Sequence, residues 1–393
     1  MTIVPALVTD VDLRNAVAGV RGLGRANIPV VGISAHRAAA GLRSRYVMER
    51  ARGPNVLTDP ACFVESIARV AKRCGPIVVY PGREEALDAL LDRATELPPE
   101  AILPYPSPVI VRSLRYKPGL AALAESVGLS SPRTLVEASA AELARSAVPV
   151  PCVAKEVAPG GAVELTTVIE TVAELEAFLL RLPEHQPLLL QERVAGPLAA
   201  LSLVISRKGE VAARFQQVAS RTWPQRAGPS SLAVSVEPDE RLVEKARRLL
   251  AAAGYWGFAE LQFLGVGETP ALIDINPRFY GSLPLALACG VNLPASWHGV
   301  TLDGSVGSRP APYRVGVSYR WLEADLSAAL QGAPRRLFAR RSGPRVGAMW
   351  ASDDVVPSAL LTAQAVTERV NRLILRRAAA AFAHTAGAGS RPA

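Results

Sequence analysis

The chain has 393 residues, 49% hydrophobic and 20% charged, which is enough for two or three domains with a sizeable core and too apolar for disorder throughout. The formal net charge is +9, but the excess is arginine spread along the chain and aromatics are only 5%; without an interleaved basic and aromatic pattern this argues against nucleic acid and suits a protein that handles anions. The four cysteines, Cys62, Cys74, Cys152 and Cys289, and the four histidines lack metal-ligand spacing, which argues against a zinc motif and against a disulfide framework.

The first residues have neither the basic start nor the apolar stretch of a secretion signal, and no apolar run reaches the roughly 20 residues that span a bilayer. A cytoplasmic protein with no membrane partner is expected. Residues 3–9 read as an apolar strand. Leu13, Val17 and Val20 then recur at helical spacing, with Gly22 and Gly24 expected to close that helix. Residues 28–34 read as a second strand. Phe63, Ile67, Val70 and Cys74 mark a helix, residues 77–80 a third strand, and residues 84–91 another helix. Strands alternating with helices over short links predict a parallel α/β sheet. The Pro-rich stretch at 103–108 breaks the pattern by fixing extended backbone, and a domain boundary is expected near residue 112.

From there to about residue 300, short strands dominate: 152–155, 163–168, 188–193, 200–205 and 211–218. Leu175, Phe178, Leu179 and Leu182 form one helical stripe, and Leu242, Ala246, Leu249, Leu250 and Ala253 another. Residues 258–264 and 270–275 flank a Gly-containing turn and predict an antiparallel hairpin. This is the pattern of an α+β domain, 113–302. In the remainder, 303–393, residues 362–382 read as a basic helix with Val366, Val370, Leu373 and Ile374 on one face, expected to pack on the chain or on a second subunit. The last ten residues have the composition of a disordered tail.

Familiar nucleotide loops and nucleophile motifs are absent. Gly19, Gly22 and Gly24 stand in the order G-x-x-G-x-G and follow a helical stretch, so they do not read as a dinucleotide loop. Neither a G-x-x-x-x-G-K-[ST] loop nor a G-x-S-x-G elbow occurs.

The hairpin carries the chemistry. A two-residue period puts Leu261 and Phe263 on one side of its first strand and Glu260 and Gln262 on the other. In the second strand Ile273 and Ile275 face the core while Asp274 and Asn276 face away. Pairing the strands groups Gln262, Asp274 and Asn276, three oxygen donors of the kind Mg²⁺ prefers.

The stretch from Asp274 through Asn276, Pro277, Arg278 and Gly281 to Ser282 resembles the E-x-N-P-R-x-x-G-S signature of ATP-grasp enzymes, in their carbamoyl-phosphate-synthetase-like and carboxylate–amine ligase branches. The usual Glu is Asp274 here, one methylene shorter but still a hard oxygen donor. The resemblance implies that Gln262, Asp274 and Asn276 hold Mg²⁺ (or Mn²⁺) on ATP and that Arg278 meets the transferred phosphoryl group. Upstream, Lys117 is similar to the family's first ATP lysine. Lys155, ending an apolar strand before Gly160 and Gly161, is similar to the second. Glycine there lets backbone N–H groups approach phosphate oxygens. Gln191, Glu192 and Val194 match the hinge strand that holds adenine, and Arg221 matches a basic loop near the phosphates. Pro197 stands where many relatives carry an acidic residue.

The resemblance covers about residues 1–300. It implies an α/β pre-ATP-grasp domain (1–112), an ATP-grasp domain of two subdomains (113–302) and a small C-terminal extension (303–393). The implied activity is a ligase that phosphorylates a small-molecule carboxylate to an acyl phosphate and couples it to an amine. Relatives are often dimers. Arg83, Glu84 and Glu85 are candidates to shape the acceptor site. Two other readings stay open: an enzyme that phosphorylates bicarbonate, and an ATP-binding regulator without catalysis.

Overall fold

The computed structural model describes residues 3–157, 166–225, 227–267, 269–304, 310–331, 333, 335, 343–365 and 367. Strands β1 (Ala6–Val8), β2 (Val30–Ser34), β3 (Val47–Arg52), β4 (Ile77–Tyr80) and β5 (Ala101–Ile102) alternate with helices α1 (Arg14–Arg25), α2 (Pro60–Cys74) and α3 (Glu84–Asp92). They form an all-parallel sheet in the order β3-β2-β1-β4-β5. The central strands are buried on both faces, which is why their sequences are unbroken apolar runs rather than alternating ones. Local signals set the helix ends. At α2, Asp59 accepts a hydrogen bond from the Cys62 N–H, Pro60 takes the first turn, and Gly75 follows the last with φ 77°.

Helices α4 (Pro108–Arg115) and α5 (Lys117–Ser126) follow. The boundary expected near residue 112 lies inside α4. Next come β6 (Thr134–Ser139), α6 (Ala140–Leu143), β7 (Cys152–Glu156), β8 (Thr166–Ile169), α7 (Val172–Leu179) and β9 (Pro187–Glu192), which build a four-stranded antiparallel sheet in the order β6-β9-β7-β8.

The third sheet has seven strands. They are β10 (Leu198–Ile205), β11 (Val211–Thr222), β12 (Ser230–Ser235), β13 (Gly257–Leu264), β14 (Ala271–Asn276), β15 (Ser318–Arg320) and β16 (Arg345–Gly347), in the order β14-β13-β10-β11-β12-β15-β16. Helices α8 (Glu240–Ala252), α9 (Leu283–Cys289), α10 (Leu293–Asp303) and α11 (Leu322–Leu330) complete the fold. The expected parallel N-terminal sheet and the expected hairpin are both present. Strands β3, β5, β6 and β12 were not marked in the sequence, and β15 and β16 recruit the C-terminal region into the sheet. Gly22 and Gly24 do not close α1: with Gly19 they lie inside it. Most of the expected helix at 362–382, and the C-terminal tail, lie outside the described residues.

The N-terminal sheet and the seven-stranded sheet share one hydrophobic core. Tyr80, at the end of β4, packs against Phe279 and Trp297. Its hydroxyl lies 3.0 Å from His298 Nδ1. Asn15 Nδ2 donates to both Gly82 O (2.7 Å) and Phe279 O (2.9 Å), and the Tyr105 hydroxyl donates to Pro277 O (2.9 Å). The loop after β14 is therefore clamped by side chains of the N-terminal region. Among the described residues no helix is long and apolar enough to cross a membrane.

Candidate functional site

The register of the β13–β14 hairpin sets Gln262 directly opposite Asp274, and Glu260 directly opposite Asn276. Directly paired residues point to the same face, so the four polar side chains form one cluster while Leu261 and Ile275 are buried behind them. Glu260 is the centre. Its Oε2 accepts from Gln262 Nε2 and from Asn276 Nδ2, both at 3.2 Å. Burial pushes the Glu260 carboxyl up to about 7. These bonds hold both amides with their NH₂ groups toward the carboxylate, which leaves their carbonyl oxygens for another partner. Sequence alternation had placed Glu260 on this face without singling it out.

This donor set suits a hard cation. Two carboxylates and two amide oxygens match the oxygen preference of Mg²⁺, which takes its remaining ligands from water and phosphate. Among the described residues no three His, Cys, Asp or Glu side chains group as a metal site, so an ion held here would need further ligands from water or another molecule.

Lys155 reaches this cluster from the other sheet. It sits on β7, is 7% exposed, and its Nζ donates to Ile273 O at 3.3 Å. Burial lowers its pKa to about 8; Asp274 opposes the shift and Lys117 adds to it. Lys117 opens α5. The structure thus brings Lys117, Lys155 and Asp274 within electrostatic range at the seam between the four-stranded and seven-stranded sheets.

Arg278 lies on the far side of the cluster. Its Nε donates to Glu84 Oε1 at 2.5 Å and its Nη1 to Phe279 O at 3.2 Å, and it also acts on the Glu260 carboxyl. Glu84 is held in turn by Arg115 at 2.6 Å, which also pairs with Asp88. Burial pushes Glu84 up, but Arg278 and Arg115 outweigh it and hold its carboxyl below the usual range. Of the acceptor candidates, Glu84 therefore positions Arg278, while Arg83 Nε lies 3.2 Å from Glu85.

The hinge residues lie at the end of β9, an interior strand between β6 and β7. Gln191 is buried. The Glu192 N–H donates to Arg133 O (2.9 Å), and its Oε1 accepts from Arg133 N (3.0 Å). Val194 is half-buried just beyond the strand. Gly196, with φ 133°, brings this segment against the hairpin turn: a Cβ there would lie 2.7 Å from Gly265 N, a contact only glycine allows. Gly160 and Gly161 lie outside the described residues. Arg221 is not brought to the cluster. It stands opposite Leu232 on the reverse face of the sheet, where Asp325 accepts from it at 2.6 and 2.8 Å.

The sequence pattern of one family, described as "ATP-grasp in the biosynthetic pathway with Ter operon", matches residues 184–324. No curated protein matches the chain. Solved structures resemble it at low identity. A biotin carboxylase from Campylobacter jejuni, described as a beta-gamma-ATP complex, has a TM-score of 0.62 at 14% identity, over 80% of this chain and 74% of that one. An L-amino acid ligase from Bacillus licheniformis has a TM-score of 0.57 at 14% identity, over 78% of each chain. The pyruvate carboxylase of Rhizobium etli gives 0.58 at 18% identity over 78% of this chain, which spans only 29% of that longer enzyme. At such identities the likeness is one of fold.

Proposed function

We propose that the chain is an ATP-grasp protein, as the family match over residues 184–324 and the likeness of fold support, and that it is a Mg²⁺-dependent ligase that phosphorylates a carboxylate with ATP and passes the acyl group to an amine. The observation that carries this reading is the convergence of Glu260, Gln262, Asp274 and Asn276 on one hairpin face, with Lys155 arriving from the opposite sheet. ATP would lie in that seam, its adenine against the segment from Gln191 to Val194 and its phosphates near Lys117 and Lys155. Glu260, Gln262, Asp274 and Asn276 would hold Mg²⁺, which neutralises phosphate charge as the γ-phosphoryl group moves.

The substrate carboxylate oxygen attacks the γ-phosphorus, and ADP leaves with the electrons of the broken P–O bond. Arg278, aimed by Glu84, stabilises the charge on the transferring group. The amine then attacks the acyl carbon, inorganic phosphate departs, and the nitrogen loses a proton. No side-chain nucleophile is needed.

The test is a phosphate-release screen with Mg–ATP against amino acids, small carboxylic acids and bicarbonate. A carboxylic acid plus an amine should give ADP and phosphate in equal amounts, and Asp274→Ala combined with Asn276→Ala should abolish turnover in a folded protein. Full turnover in the double variant sinks the metal assignment. Turnover with bicarbonate alone replaces the ligase reading with bicarbonate phosphorylation.

A further inference from the structure

Arg14 opens α1 and is half-buried where that helix meets the seven-stranded sheet. Three contacts order its guanidinium. Its Cζ lies 3.5 Å from the centroid of the Trp321 ring, and its Nη1 donates to the Tyr319 hydroxyl at 3.3 Å. Nη2 fills the space over Gly281, where a Cβ would stand 2.5 Å away. The Tyr319 hydroxyl donates in turn to Gly281 O at 3.1 Å. Stacking on a ring face fixes the plane of the group but consumes none of its in-plane N–H donors. No acid completes the arrangement: among the described residues Arg14 is in no ion pair, and its Nε and Nη2 have no acceptor. Glu323 acts through space on the Tyr319 hydroxyl without pairing with Arg14. Arg115, Arg221, Arg278 and Arg320, by contrast, are each met by a carboxylate.

This guanidinium stands beside the reacting centre. Gly281 and Ser282 close the stretch that begins at Asp274 and contains Arg278. Ser282 Oγ accepts from Gln217 Nε2 at 2.5 Å. Gln217 pairs with Ala200, and Ala200 with Gln262, so Gln217 shares the face of the hairpin cluster. Tyr319 is on that face too, since it pairs with Ala233, and Ala233 with Ala219, which lies two residues from Gln217. Two further atoms here are unsatisfied. Trp321 Nε1 is buried with no acceptor, and Gln217 Oε1 is buried with no donor. Such orphans are rare in folded proteins because each is costly. At Arg14 and Trp321 the missing partner is an oxygen anion, and at Gln217 it is a donor such as an amine.

We propose that Arg14 is a specificity-determining residue, which receives a substrate carboxylate other than the one that is phosphorylated. The inference rests on the ligase reading and deepens it. Arg278 meets the transferring group, while Arg14 holds the remote carboxylate through its Nε–Nη2 edge, a fork that matches carboxylate geometry. Either substrate can supply that group. An amino acid acceptor places its amine toward Gln217 and its carboxylate on Arg14. A dicarboxylic donor places its second carboxylate there. In both cases Gly281 is glycine because a side chain would take the room of the guanidinium, and the N-terminal region takes part in choosing the substrate.

Chemical labelling reads the contact without turnover. The full-length protein with Mg–ADP is treated with phenylglyoxal, and modification of Arg14 is followed by peptide mass spectrometry, with the exposed Arg145 as reference. L-alanine, L-phenylalanine or succinate should slow labelling of Arg14 and not of Arg145. The amides of the two amino acids and dimethyl succinate, which lack the carboxylate, should not. In turnover assays the wild type should prefer L-alanine to L-alaninamide, or succinate to monomethyl succinate, by about tenfold or more in kcat/KM, as expected for a charge-assisted hydrogen bond. The arm that shows the preference identifies the substrate carrying the carboxylate. Arg14→Met should bring that ratio close to one, and Arg14→Lys should keep part of it. The proposal is overturned if no carboxylate slows labelling of Arg14, or if Arg14 does not label in the protein without substrate. It is equally overturned if folded Arg14→Met keeps the wild-type ratio. Absence of turnover with every substrate pair sinks the ligase reading instead, and the labelling result then decides by itself whether Arg14 holds a carboxylate.

Discussion

Lys155 is a cation in a place where water cannot solvate it. Burial drives its pKa down to about 8, and Lys117 presses in the same direction against the pull of Asp274. The empty protein thus holds less proton on this group than the unfolded chain does between about 8 and 10.5. The associated instability is present in full below about 8 and relieved as the pH rises toward 10.5. Triphosphate reverses the balance, because an adjacent anion favours the charged amine. ATP binding at about pH 8.5 should therefore take up protons, seen by calorimetry in buffers of different ionisation enthalpy. Lys155→Arg should bind ATP with no such uptake, since guanidinium stays charged. Equal uptake in wild type and variant would show that the proton goes elsewhere. At this same scale, alternation alone placed Gln262, Asp274 and Asn276 on one strand face. It could not identify Glu260 as their hub, because that role depends on which residue stands opposite Asn276. Nor could it separate Arg221 from the cluster, since the irregular pairing of β11 with β12 sets the side of the sheet it occupies.

Helix α1 shows how an element can be misjudged from its composition. Three glycines in six residues read as a helix end, yet the helix continues through all of them to Arg25. Each is there for what it touches. A Cβ on Gly19 would stand 2.3 Å from the ring of Phe279, one on Gly22 2.7 Å from Pro294, and one on Gly24 2.4 Å from Tyr46. These contacts join α1 to the loop that carries Arg278, to α10 and to the segment before β3. Gly19→Ala has the better helix former but no room for it, and overpacking of this kind destabilises by about 1–3 kcal/mol. We expect a loss of stability in that range by denaturant unfolding. ATP turnover should fall as well, because Phe279 is displaced next to Arg278. A variant at least as stable as wild type, with full turnover, would contradict the close approach of α1 to that loop.

At the scale of the whole molecule, the C-terminal region closes the structure back onto its beginning. Arg21 of α1 donates from Nε to Asp354 Oδ2 at 2.9 Å and from Nη1 to Met349 O at 2.8 Å. Ser44 adds a hydrogen bond to the same carboxylate. Both charged side chains are almost fully buried, at 5% and 2% exposure. Removing one partner leaves the other charged and unpaired, which typically costs about 3–5 kcal/mol. Arg21→Ala should show a loss of that order in denaturant unfolding, and Arg21→Met combined with Asp354→Leu a smaller one. A loss below about 1 kcal/mol for the single change would mean the pair is not buried as described.

Periodicity in the chain was enough to determine the three central strands of the parallel N-terminal sheet, the β13–β14 hairpin and the polar face of that hairpin, because these depend on side-chain alternation and on contacts close in sequence. The tertiary structure alone decided that β15 and β16 extend the central sheet, that Glu84 of the first domain steers Arg278, and that α1 seats its glycines on distant rings. These depend on contacts far apart in the chain; Glu84 and Arg278, for one, are separated by 194 positions. No local pattern encodes them, since each partner's own stretch of sequence looks the same whether or not the other arrives.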